Sequence, residues 1–589
     1  MDATVLPLTW PKDFDLSDLR RFETEARTLR YQALGRACRE KRINSLMVAH
    51  HGDDQAETVM MRLSNSRLRS GLQAMQSVEW IPECDGIYGV QHSGLKQKHD
   101  TSLNIPFPVE QGGIQILRPL LAFEKSRLIA TCEEKGVAWA EDKTNQIQTI
   151  TSRNAIRHIY KNHKLPEALS IKSLVNIAHN MQKRVESHKA YAQKLFDRCL
   201  IKLDIQTGCL LVRFPPASSL LDRPVESEHD RNEARDNAYC LIERVAELVT
   251  PMPKAQAGQL AGMIQHIYPE LKNPEEADYS LPDKQHFTTN RCVFGIWWRK
   301  WGKPSPFQVP EEGFYRTGIH PREWFLIRQP LDRTQLSSPA HHIIYPPLDT
   351  TRRSGGTYKL FDGRFWIRLQ NHSTDTLILR LFGESDMRHL PTAQEDRKAY
   401  LNEIEPSVRP HRYISAAFSL IKPSELRFSL PAVFCIDKNT GEETLLGFPT
   451  LDVRMNGFGP LEGVCGWSVR YKKIDFGNRS ASDIIVPGSS RPSIIAEEKR
   501  QAMQHKGIIR MKMRENQSLE ERAEDDRFTG FKRVSIKSVE KKGRHNYLRN
   551  VFVKAALDDD STDLLSFLQE ESAKQEGEKE ELGRRGDGE

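Results

Sequence analysis

Apolar residues recur at helical spacing near the beginning of the chain, and the pattern then changes to a short unbroken apolar run. The spacing predicts an amphipathic helix whose apolar face carries Leu19, Phe22, Ala26, Leu29, Ala33, Leu34 and Ala37. The run SLMVAH, residues 45–50, lacks alternation. Such a run is typical of a strand that is buried on both faces of a parallel sheet. The order of helix and strand therefore indicates an α/β fold.

A second helix is predicted directly after this strand, over the segment DDQAETVMMRL. Asp53 or Asp54 can cap its first N–H groups, because a carboxylate at a helix N-terminus accepts hydrogen bonds from otherwise unpaired amides. We expect the apolar side chains of Val59, Met60 and Leu63 to face the sheet.

Five ionisable side chains stand where this strand passes into the helix: His50, His51, Asp53, Asp54 and Glu57. Open α/β sheets bind their ligands at the carboxyl ends of their strands. Asp54 and Glu57 are three residues apart and share one helical face. One interpretation is a site for a cation, either Mg²⁺ or an ammonium group, with a histidine near a phosphate or a reacting base. The other is a capped helix with solvated acids and one packed histidine, which is the commoner meaning of such residues in a generic sequence.

A second polar cluster follows another predicted strand, GIQIL, which ends at Arg118. A helix is predicted from Glu124 to Glu134, and Gly136 ends it. The segment VAWAEDKTN then predicts a short strand and turn, followed by a basic helix. The polar residues of this turn and helix are Glu141, Asp142, Asn145, Arg153, Asn154 and Arg157. Guanidinium groups bind phosphate bidentately, although most surface arginines are simply solvated.

Length, charge and cysteine content limit the kinds of protein that this chain can be. At 589 residues and 67.6 kDa the chain is too long for one core, so two or three domains are expected. The formal charge of +7 suits a polyanionic partner without proving one. Nine scattered cysteines include no CxxC pair, which argues against a zinc knuckle and a disulfide scaffold. We therefore expect an intracellular protein, either cytoplasmic or in the mitochondrial matrix.

Three linked motifs carry a resemblance to a known family. AHHGDDQAETVMMRL with GLQAM, then RPLL, then WAEDKTN with SRNAIRHIYKNHKLP follow one another in this order. Together they resemble the tRNA(Ile)-lysidine synthetases, a branch of the ATP-pyrophosphatase (PP-loop) family. The resemblance is strong over about residues 20 to 170, and weaker through LFDGRFWIRLQ and SLPAVF…LLGFPTL.

The resemblance implies a ligase that uses ATP and Mg²⁺ to modify tRNA(Ile) with a CAU anticodon. The C2 oxygen of the wobble cytidine is adenylated with loss of pyrophosphate, and the ε-amine of free lysine then displaces AMP. We expect Asp54 and Glu57 to bind the lysine ammonium. We expect Arg118 and Arg153 to stabilise charge as it moves onto pyrophosphate.

Three further residues complete the expected site. His51 and Asp142 would position the nucleotide or the activated base, and Asn154 would contribute to substrate binding. No cofactor-binding or metal-binding residues are assigned, because carboxylates suit Mg²⁺ while the histidines also suit zinc.

The sequence departs from the family in two places. The family opens with a strand and a Ser-Gly-Gly-x-Asp-Ser loop, and no such motif precedes AHH. We expect the chain to be an N-terminally incomplete version of a longer protein, with a non-catalytic descendant as the alternative. SNSRLRSG stands where the family has an Arg-Gly-Ser-Gly turn, and Asn65 is the residue there that tolerates a positive φ.

The complete expectation is an α/β protein of four parts. Residues 1–165 form an N-terminally truncated PP-loop (adenine nucleotide alpha hydrolase-like) parallel-sheet domain. A helical connector spans 166–284, a β-rich tRNA-binding domain spans 285–476, and 477–589 form a largely disordered charged tail. Trp297, Trp298 and Trp301 are a candidate RNA-stacking patch, but we favour a core strand.

Two rival functions stay open. The first is a PP-loop tRNA thiolase using the same adenylation, against which the lack of paired cysteines near the site counts. The second is a tRNA-binding protein without catalysis.

Overall fold

The computed structural model describes most of the chain up to residue 486. The described residues are 3–11, 14, 19–67, 69–90, 105–110, 112–140, 152–253, 255, 258–271, 290–307, 320–347, 356–402, 418, 424–455 and 464–486. Asp142 and the segment beyond Val486, where a charged tail is predicted, lie outside the described residues. No helix in the described ranges is both long and apolar enough to cross a membrane.

Helices occur in both halves of the described chain. They are Leu19–Glu40 (α1), Gly52–Ser64 (α2), Lys125–Glu134 (α3), Ser152–Asn162 (α4), Ile171–Arg198 (α5), Glu228–Glu247 (α6), Ala261–Ile267 (α7), Arg333–Leu336 (α8), Ala393–Leu401 (α9) and Ala481–Ile484 (α10). The helices predicted near residues 19–37 and 124–134 are confirmed, and so is the basic helix α4.

Strands form four sheets, and most of them lie after residue 199. They are Ser45–Met47 (β1), Val78–Trp80 (β2), Gln115–Leu117 (β3), Leu200–Asp204 (β4), Cys209–Arg213 (β5), Asn290–Val293 (β6), Ile296–Lys300 (β7), Glu323–Arg328 (β8), Ile343–Tyr345 (β9), Lys359–Phe361 (β10), Phe365–Asn371 (β11), Thr376–Leu381 (β12), Pro431–Ile436 (β13), Glu443–Phe448 (β14), Val453–Arg454 (β15) and Cys465–Tyr471 (β16). The sheet orders are β1-β3-β2, β4-β5-β8-β7-β6, β15-β14-β13-β12-β9 and β10-β11-β16.

The N-terminal sheet is mixed rather than parallel within the described residues. β1 pairs with β3 in parallel, Ser45 opposite Gln115, whereas β2 pairs with β3 antiparallel. The prediction that β1 is buried on both faces is wrong, because β1 lies at the sheet edge and Met47 is 73% exposed. The central strand β3 has the buried position, with Ile116 fully buried.

Helix α2 packs on a helix and not, as predicted, on the sheet. Ala56 and Val59 are fully buried against Leu174 and Ala178 of α5, and Met60 and Leu63 pack against the same cluster. An amphipathic pattern shows which face of a helix is buried but not which element covers it. The segment VAWA after α3 is also not a strand, because residues 137–140 have no regular structure and are exposed.

The connector predicted as helical contains a β-hairpin. Strands β4 and β5 pair antiparallel, and β5 pairs in turn with β8 of the region predicted as β-rich. All five residues of β5 are buried, so the apolar run Cys209–Val212 belongs to a central strand. The expected boundary at residues 284 and 285 therefore falls within one sheet.

The tryptophans of the candidate stacking patch belong to the interior, which agrees with the favoured prediction of a core strand. Trp298 on β7 is fully buried, while Trp297 and Trp301 are half-buried against an apolar cluster.

The last described segment is packed against the body of the protein and is not part of a tail. Ile484 and Ile485 are buried, and Val486 N donates to Leu203 O.

Candidate active site

The parallel pairing of β1 and β3 brings the two predicted clusters to one edge of the sheet. The carboxyl end of β1 leads to His50, and the carboxyl end of β3 leads to Arg118. Arg118 Nε donates to His50 Nδ1 at 3.2 Å. The strand ends therefore meet as expected for an α/β ligand site.

Arg118 is held by the protein rather than presented to solvent. Its guanidinium also donates to Gln76 O at 2.8 Å and to Glu79 Oε1 at 2.6 Å, and the residue is 2% exposed. In this arrangement the guanidinium orients His50 and does not point into open space. The expected role of Arg118, to stabilise charge as it moves onto pyrophosphate, stays a prediction.

The two aspartates cap different helices. His51 is the N-cap of α2, and its backbone N–H donates to Asp54 Oδ2 at 3.0 Å. Asp53 Oδ2 instead accepts from the N–H of Lys125 at 2.7 Å, at the beginning of α3. The predicted carboxylate capping is present, but one of the two carboxylates stabilises a helix more than seventy residues away in sequence.

Asp54 and Glu57 share one face of α2, as predicted, and a single arginine of α4 contacts both. Arg157 Nε donates to Glu57 Oε1 at 2.6 Å, and an Arg157 terminal nitrogen lies 3.5 Å from Asp54 Oδ1. Glu57 is 4% exposed, and its Oε2 has no hydrogen-bond partner among the described residues. The pair therefore binds one cationic group and keeps a free acceptor atom. The basic helix was predicted, but this partnership was not, since no sequence spacing links residues one hundred positions apart.

The two histidines have opposite electrostatic environments. Burial lowers the pKa of His50, and the nearby cations Arg118 and Arg153 add to this against the charge of Asp54. The carboxylate of Asp53, 3.5 Å from His51 Nδ1, raises the pKa of His51, with help from Asp54 and Glu57. Near neutral pH, His50 is therefore the neutral imidazole. His51 is the more readily protonated of the two.

Burial also shifts the pKa values of the carboxyl groups. It raises the pKa of Glu57 despite the opposing contact with Arg157. Burial acts on Asp53 in the same sense, but the nearby His51 ring and the hydrogen bond from the Lys125 N–H outweigh it and lower the pKa of Asp53. Glu57 is thus the carboxyl group of α2 that gains a proton more easily.

The remaining predicted residues lie on α4 or outside the described chain. Arg153 Nε lies 3.7 Å from Glu23 Oε1, and this buried nitrogen has no hydrogen-bond partner among the described residues. Asn154 is 7% exposed. The structure therefore brings His51, Asp54, Glu57, Arg118 and Arg153 into one neighbourhood, while Asp142 lies outside the described residues.

The loop after α2 is fixed by two glutamines. Gln55 Nε2 donates to Met75 O at 2.8 Å, and Met75 N donates to Gln55 Oε1 at 2.9 Å. Gln182 of α5 donates to Gln73 O and to Met75 O. At the preceding turn Asn65, which tolerates a positive φ, has a φ of −94°, and Ser66 has the positive value of 53°.

The carboxylates of α2 do not form a ready-made metal centre. Asp53 and Asp54 each use one oxygen for a helix cap, and Glu57 uses one for Arg157. In the described part of the chain, three potential ligand atoms come within 4.8 Å of one another at His229, Asp230 and Glu233 of α6, away from this site. The described site thus offers scattered single oxygens, and these suit an ammonium group better than a fully protein-bound Mg²⁺.

Comparisons with known proteins agree with this architecture. Residues 6–164 match a family described as a PP-loop domain. The chain is 25% identical to a probable tRNA(Ile)-lysidine synthase of Schizosaccharomyces pombe over 450 residues, which are 76% of each chain. It is 27% identical to a tRNA(Ile)-lysidine synthase of a Brugia malayi Wolbachia over 178 residues. It is 32% identical to one of Bradyrhizobium over 126 residues. These two matches cover 34% and 27% of the bacterial proteins.

Residues 6–164, which include the N-terminal sheet and its site, thus resemble the PP-loop proteins. The chain as a whole is similar to the tRNA(Ile)-lysidine synthases, and the resemblance recognised from the sequence motifs is confirmed. Its overall fold is mixed α/β, with a PP-loop domain followed by β-rich sheets.

Proposed function

We propose that this protein attaches free lysine to the wobble cytidine of tRNA(Ile) with a CAU anticodon in an ATP-dependent ligation. The cytidine O2 attacks the α-phosphorus of ATP and pyrophosphate leaves. The lysine ε-amine then forms a bond to C2, and AMP leaves with the O2 atom. The relatives carry the name of this activity. The structural observation that supports it best is the acid pair of α2, Asp54 and Glu57.

The acid pair suits a lysine side chain because it already binds a cation of similar charge. Arg157 bridges Asp54 and Glu57 from one side, and Glu57 Oε2 is left without a partner on the other. A buried carboxylate oxygen without a donor is costly, so a substrate ammonium that donates to it gains binding energy. We assign Asp54 and Glu57 to the lysine ammonium.

Attack by lysine requires a neutral amine, so one proton must first leave the ammonium. Glu57 is a suitable acceptor at Oε2, because burial raises its pKa above that of an ordinary carboxyl group. His50 is neutral because its pKa is lowered, and it offers a donor rather than a second acceptor. Arg118 donates to His50 Nδ1 and thereby leaves the ring proton on Nε2.

ATP is the proposed source of the adenylate. Arg153, whose buried Nε has no described partner, and His51, whose pKa is raised, are the cationic groups that suit its phosphates. Mg²⁺ would supply charge neutralisation to the phosphates, and we assign it no protein ligand. Asp142 and Asn154 stay proposed contacts to the nucleotide or the activated base.

The structure offers no support for the rival thiolase. Burial raises the pKa of the Cys38 thiol and raises that of Cys84 to about 12, so neither thiol of the N-terminal core is a ready nucleophile. The second rival, tRNA binding without catalysis, would show RNA affinity but no chemistry.

The proposal is tested by incubating the protein with ATP, Mg²⁺, lysine and a tRNA(Ile) transcript that carries a CAU anticodon. Mass spectrometry of the digested tRNA should find lysidine at the wobble position, and only when ATP and lysine are both present. A transcript with uridine at the wobble position is the matched control. RNA binding with no modified nucleoside would favour the non-catalytic rival, and a thiolated nucleoside would favour the thiolase.

A further inference from the structure

A short segment of the N-terminal region lies inside the C-terminal core. Val109 is buried within the largest apolar cluster, where it forms an isolated parallel bridge with Tyr471 of β16. The N–H of Glu110 donates to Tyr471 O at 2.7 Å, and the N–H of Tyr471 donates to Pro108 O at 2.9 Å. Backbone hydrogen bonds therefore fix the residues that precede β3 to the last strand of the C-terminal sheet.

The side chain of Glu110 adds to this link. Its Oε2 accepts from Trp366 Nε1 at 2.6 Å and from the N–H of Lys473 at 3.3 Å, while its Oε1 accepts from the N–H of Gly89 at 3.3 Å. A buried carboxylate needs such donors, because a buried polar group without a partner is costly. Glu110 thus joins strand β11, the end of β16 and the loop that follows β2.

Lys473 extends from the end of β16 to the N-terminal sheet. The residue is 3% exposed, its ammonium donates to Gly112 O, and its Nζ lies 4.3 Å from the ring centroid of Trp80 on β2. A buried ammonium needs partners, and here they include a carbonyl dipole and the face of an aromatic ring. The N-terminal sheet therefore holds the charged end of a C-terminal side chain.

Two glycines let the backbone approach this ammonium closely. Gly112 and Gly113 have φ values of 111° and 115°, which residues with a side chain rarely adopt. A Cβ on Gly113 would lie 2.8 Å from Lys473 Nζ and 2.9 Å from Trp80 Cζ3. The N–H of Gly113 also donates to Gly89 O at 3.3 Å. The two glycines thus allow a contact that a larger residue at either position would disrupt.

The strands that Lys473 contacts are the strands that hold Arg118. Trp80 is the neighbour of Glu79 on β2, and Glu79 accepts from Arg118 Nη2 at 2.6 Å. Arg118 itself directly follows β3, which pairs with β2 along its whole length. Arg118 Nε in turn donates to His50 Nδ1 at 3.2 Å. Two paired strands therefore connect the Lys473 contact with the imidazole of the candidate active site.

We propose that Lys473 is a positioning residue for the ligation, acting through β2 and β3 on Arg118 and His50. Packed strands of this kind transmit a displacement at one end to the side chains at the other. Lys473 contacts neither the acid pair assigned to the lysine ammonium nor the reacting atoms. Its loss should therefore slow turnover and leave lysine binding unchanged. The inference rests on the proposed function, because the ligation is the reaction for which His50 is positioned.

Lys473→Met tests the proposal, because it keeps an apolar chain against Trp80 and removes the ammonium. With ATP, Mg²⁺, lysine and the tRNA transcript, we expect kcat to fall about 10-fold, since misplaced groups slow a reaction even when they bind no substrate. The KM for lysine should stay within about two-fold of the wild-type value. Melting curves establish that the variant is folded, and Lys473→Gln, which keeps a donor for Gly112 O, replaces it if it is not.

A second readout follows the imidazole itself and needs no turnover. Burial, and with it the charge of Arg118, lowers the pKa of His50. If Lys473→Met loosens Arg118, NMR titration should show the pKa of His50 rising toward the ordinary histidine value. Trp80→Phe should cause a smaller change of the same kind, and adding it to Lys473→Met should cause little further change, because both substitutions break one contact.

Lys472→Met is the matched control. This neighbouring lysine also donates to a backbone carbonyl, Thr250 O at 2.7 Å, but that carbonyl follows α6 and lies outside the N-terminal sheet. Its loss should lower the melting temperature and leave both kcat and the pKa of His50 unchanged. Changes as large as those of Lys473→Met would show a general loss of stability and would overturn the proposal.

The remaining outcomes separate the positioning contact from the proposed function. Wild-type kcat in Lys473→Met, a lowered kcat with an unchanged His50 pKa, or a raised KM for lysine with unchanged kcat would each overturn the positioning role. If the wild-type protein forms no lysidine, the ligase activity is removed. A His50 pKa that responds to Lys473→Met and not to Lys472→Met would in that case still support the contact between Lys473 and the site.

Discussion

Arg157 Nε lies 2.6 Å from Glu57 Oε1, and this contact joins the basic helix α4 to the acidic face of α2. It fixes one oxygen of a nearly buried carboxylate and leaves the other without a described partner. The geometry gives Arg157 two effects that can be measured separately. It compensates a buried charge, and it fixes the orientation of the carboxylate.

Removing that guanidinium should destabilise the protein. Arg157→Gln leaves Glu57 buried without its counter-charge, and we expect a loss of about 1–3 kcal/mol in the free energy of unfolding. The value lies below that for a fully buried pair, because about a third of the Arg157 side chain is exposed. Urea denaturation measures the loss, and Arg157→Lys, which keeps the charge, should recover part of it. Equal stability of the Gln variant and the wild type would show that Glu57 does not depend on this contact.

The two adjacent histidines should titrate on opposite sides of the ordinary histidine pKa. NMR of the imidazole carbons, assigned with His50→Gln and His51→Gln, should show a lowered pKa for His50 and a raised pKa for His51. Asp53→Asn should lower the pKa of His51, because the neighbouring Asp53 carboxylate is the main cause of its rise. Identical titration of both rings would contradict this description of the site.

These shifts also fix the direction of a pH effect on stability. The contribution of His51 is fully present below the unfolded-state pKa of about 6.5 and is lost as the pH rises through its raised folded pKa. The contribution of His50 has the opposite sign, since its lowered pKa makes folding less favourable as the pH falls below about 6.5. Comparing the pH dependence of unfolding for the two Gln variants separates the contributions.

Asp53 should matter for stability rather than for lysine. Asp53→Ala removes the acceptor for the Lys125 N–H at the beginning of α3, and we expect a loss of about 1 kcal/mol. Asp53→Asn keeps an acceptor oxygen and should retain most of the stability. A raised KM for lysine in both variants, with unchanged stability, would instead place Asp53 in the substrate site.

Glu110 links the N-terminal region to the C-terminal sheet and should make the link sensitive to pH. Its carboxylate accepts from Trp366 Nε1 at 2.6 Å and from the N–H groups of Gly89 and Lys473, yet burial raises its pKa to about 7. Because this folded pKa exceeds the unfolded value, the protonated group favours folding. Its contribution falls as the pH rises from about 4.5 through about 7. Thermal unfolding should show a smaller fall between pH 5 and pH 8 in Glu110→Gln than in the wild type, and equal pH dependence of the two proteins would contradict the assignment.

The sequence predicted most accurately what local spacing controls. The position of α2 after β1 and the shared face of Asp54 and Glu57 both follow from periodicity. The sequence does not show which elements pack against each other. Val59 is an apolar helix residue on any reading, but its burial against α5 depends on how distant segments pack.

The contacts that the sequence did not predict have one physical origin. Asp53 caps α3, and Arg157 binds Glu57, through contacts that join residues far apart in the chain. Strand β5 has no alternation that would distinguish a central strand from a short helical segment, and only its pairing with β8 identifies it. The contacts of Arg118 with Gln76 and Glu79 are likewise not visible in the sequence, and its expected role beside pyrophosphate stays a prediction.

The apparent KM of Glu57→Gln for lysine tests the central claim most directly. The substitution keeps the shape of the side chain but removes the charge proposed to hold the lysine ammonium. We predict that the KM for lysine rises at least about 10-fold, while the ATP and pyrophosphate exchange that depends on tRNA, which precedes lysine attack, proceeds at the wild-type rate. An unchanged KM for lysine together with impaired exchange would contradict this account and would assign Glu57 to the nucleotide and its metal ion.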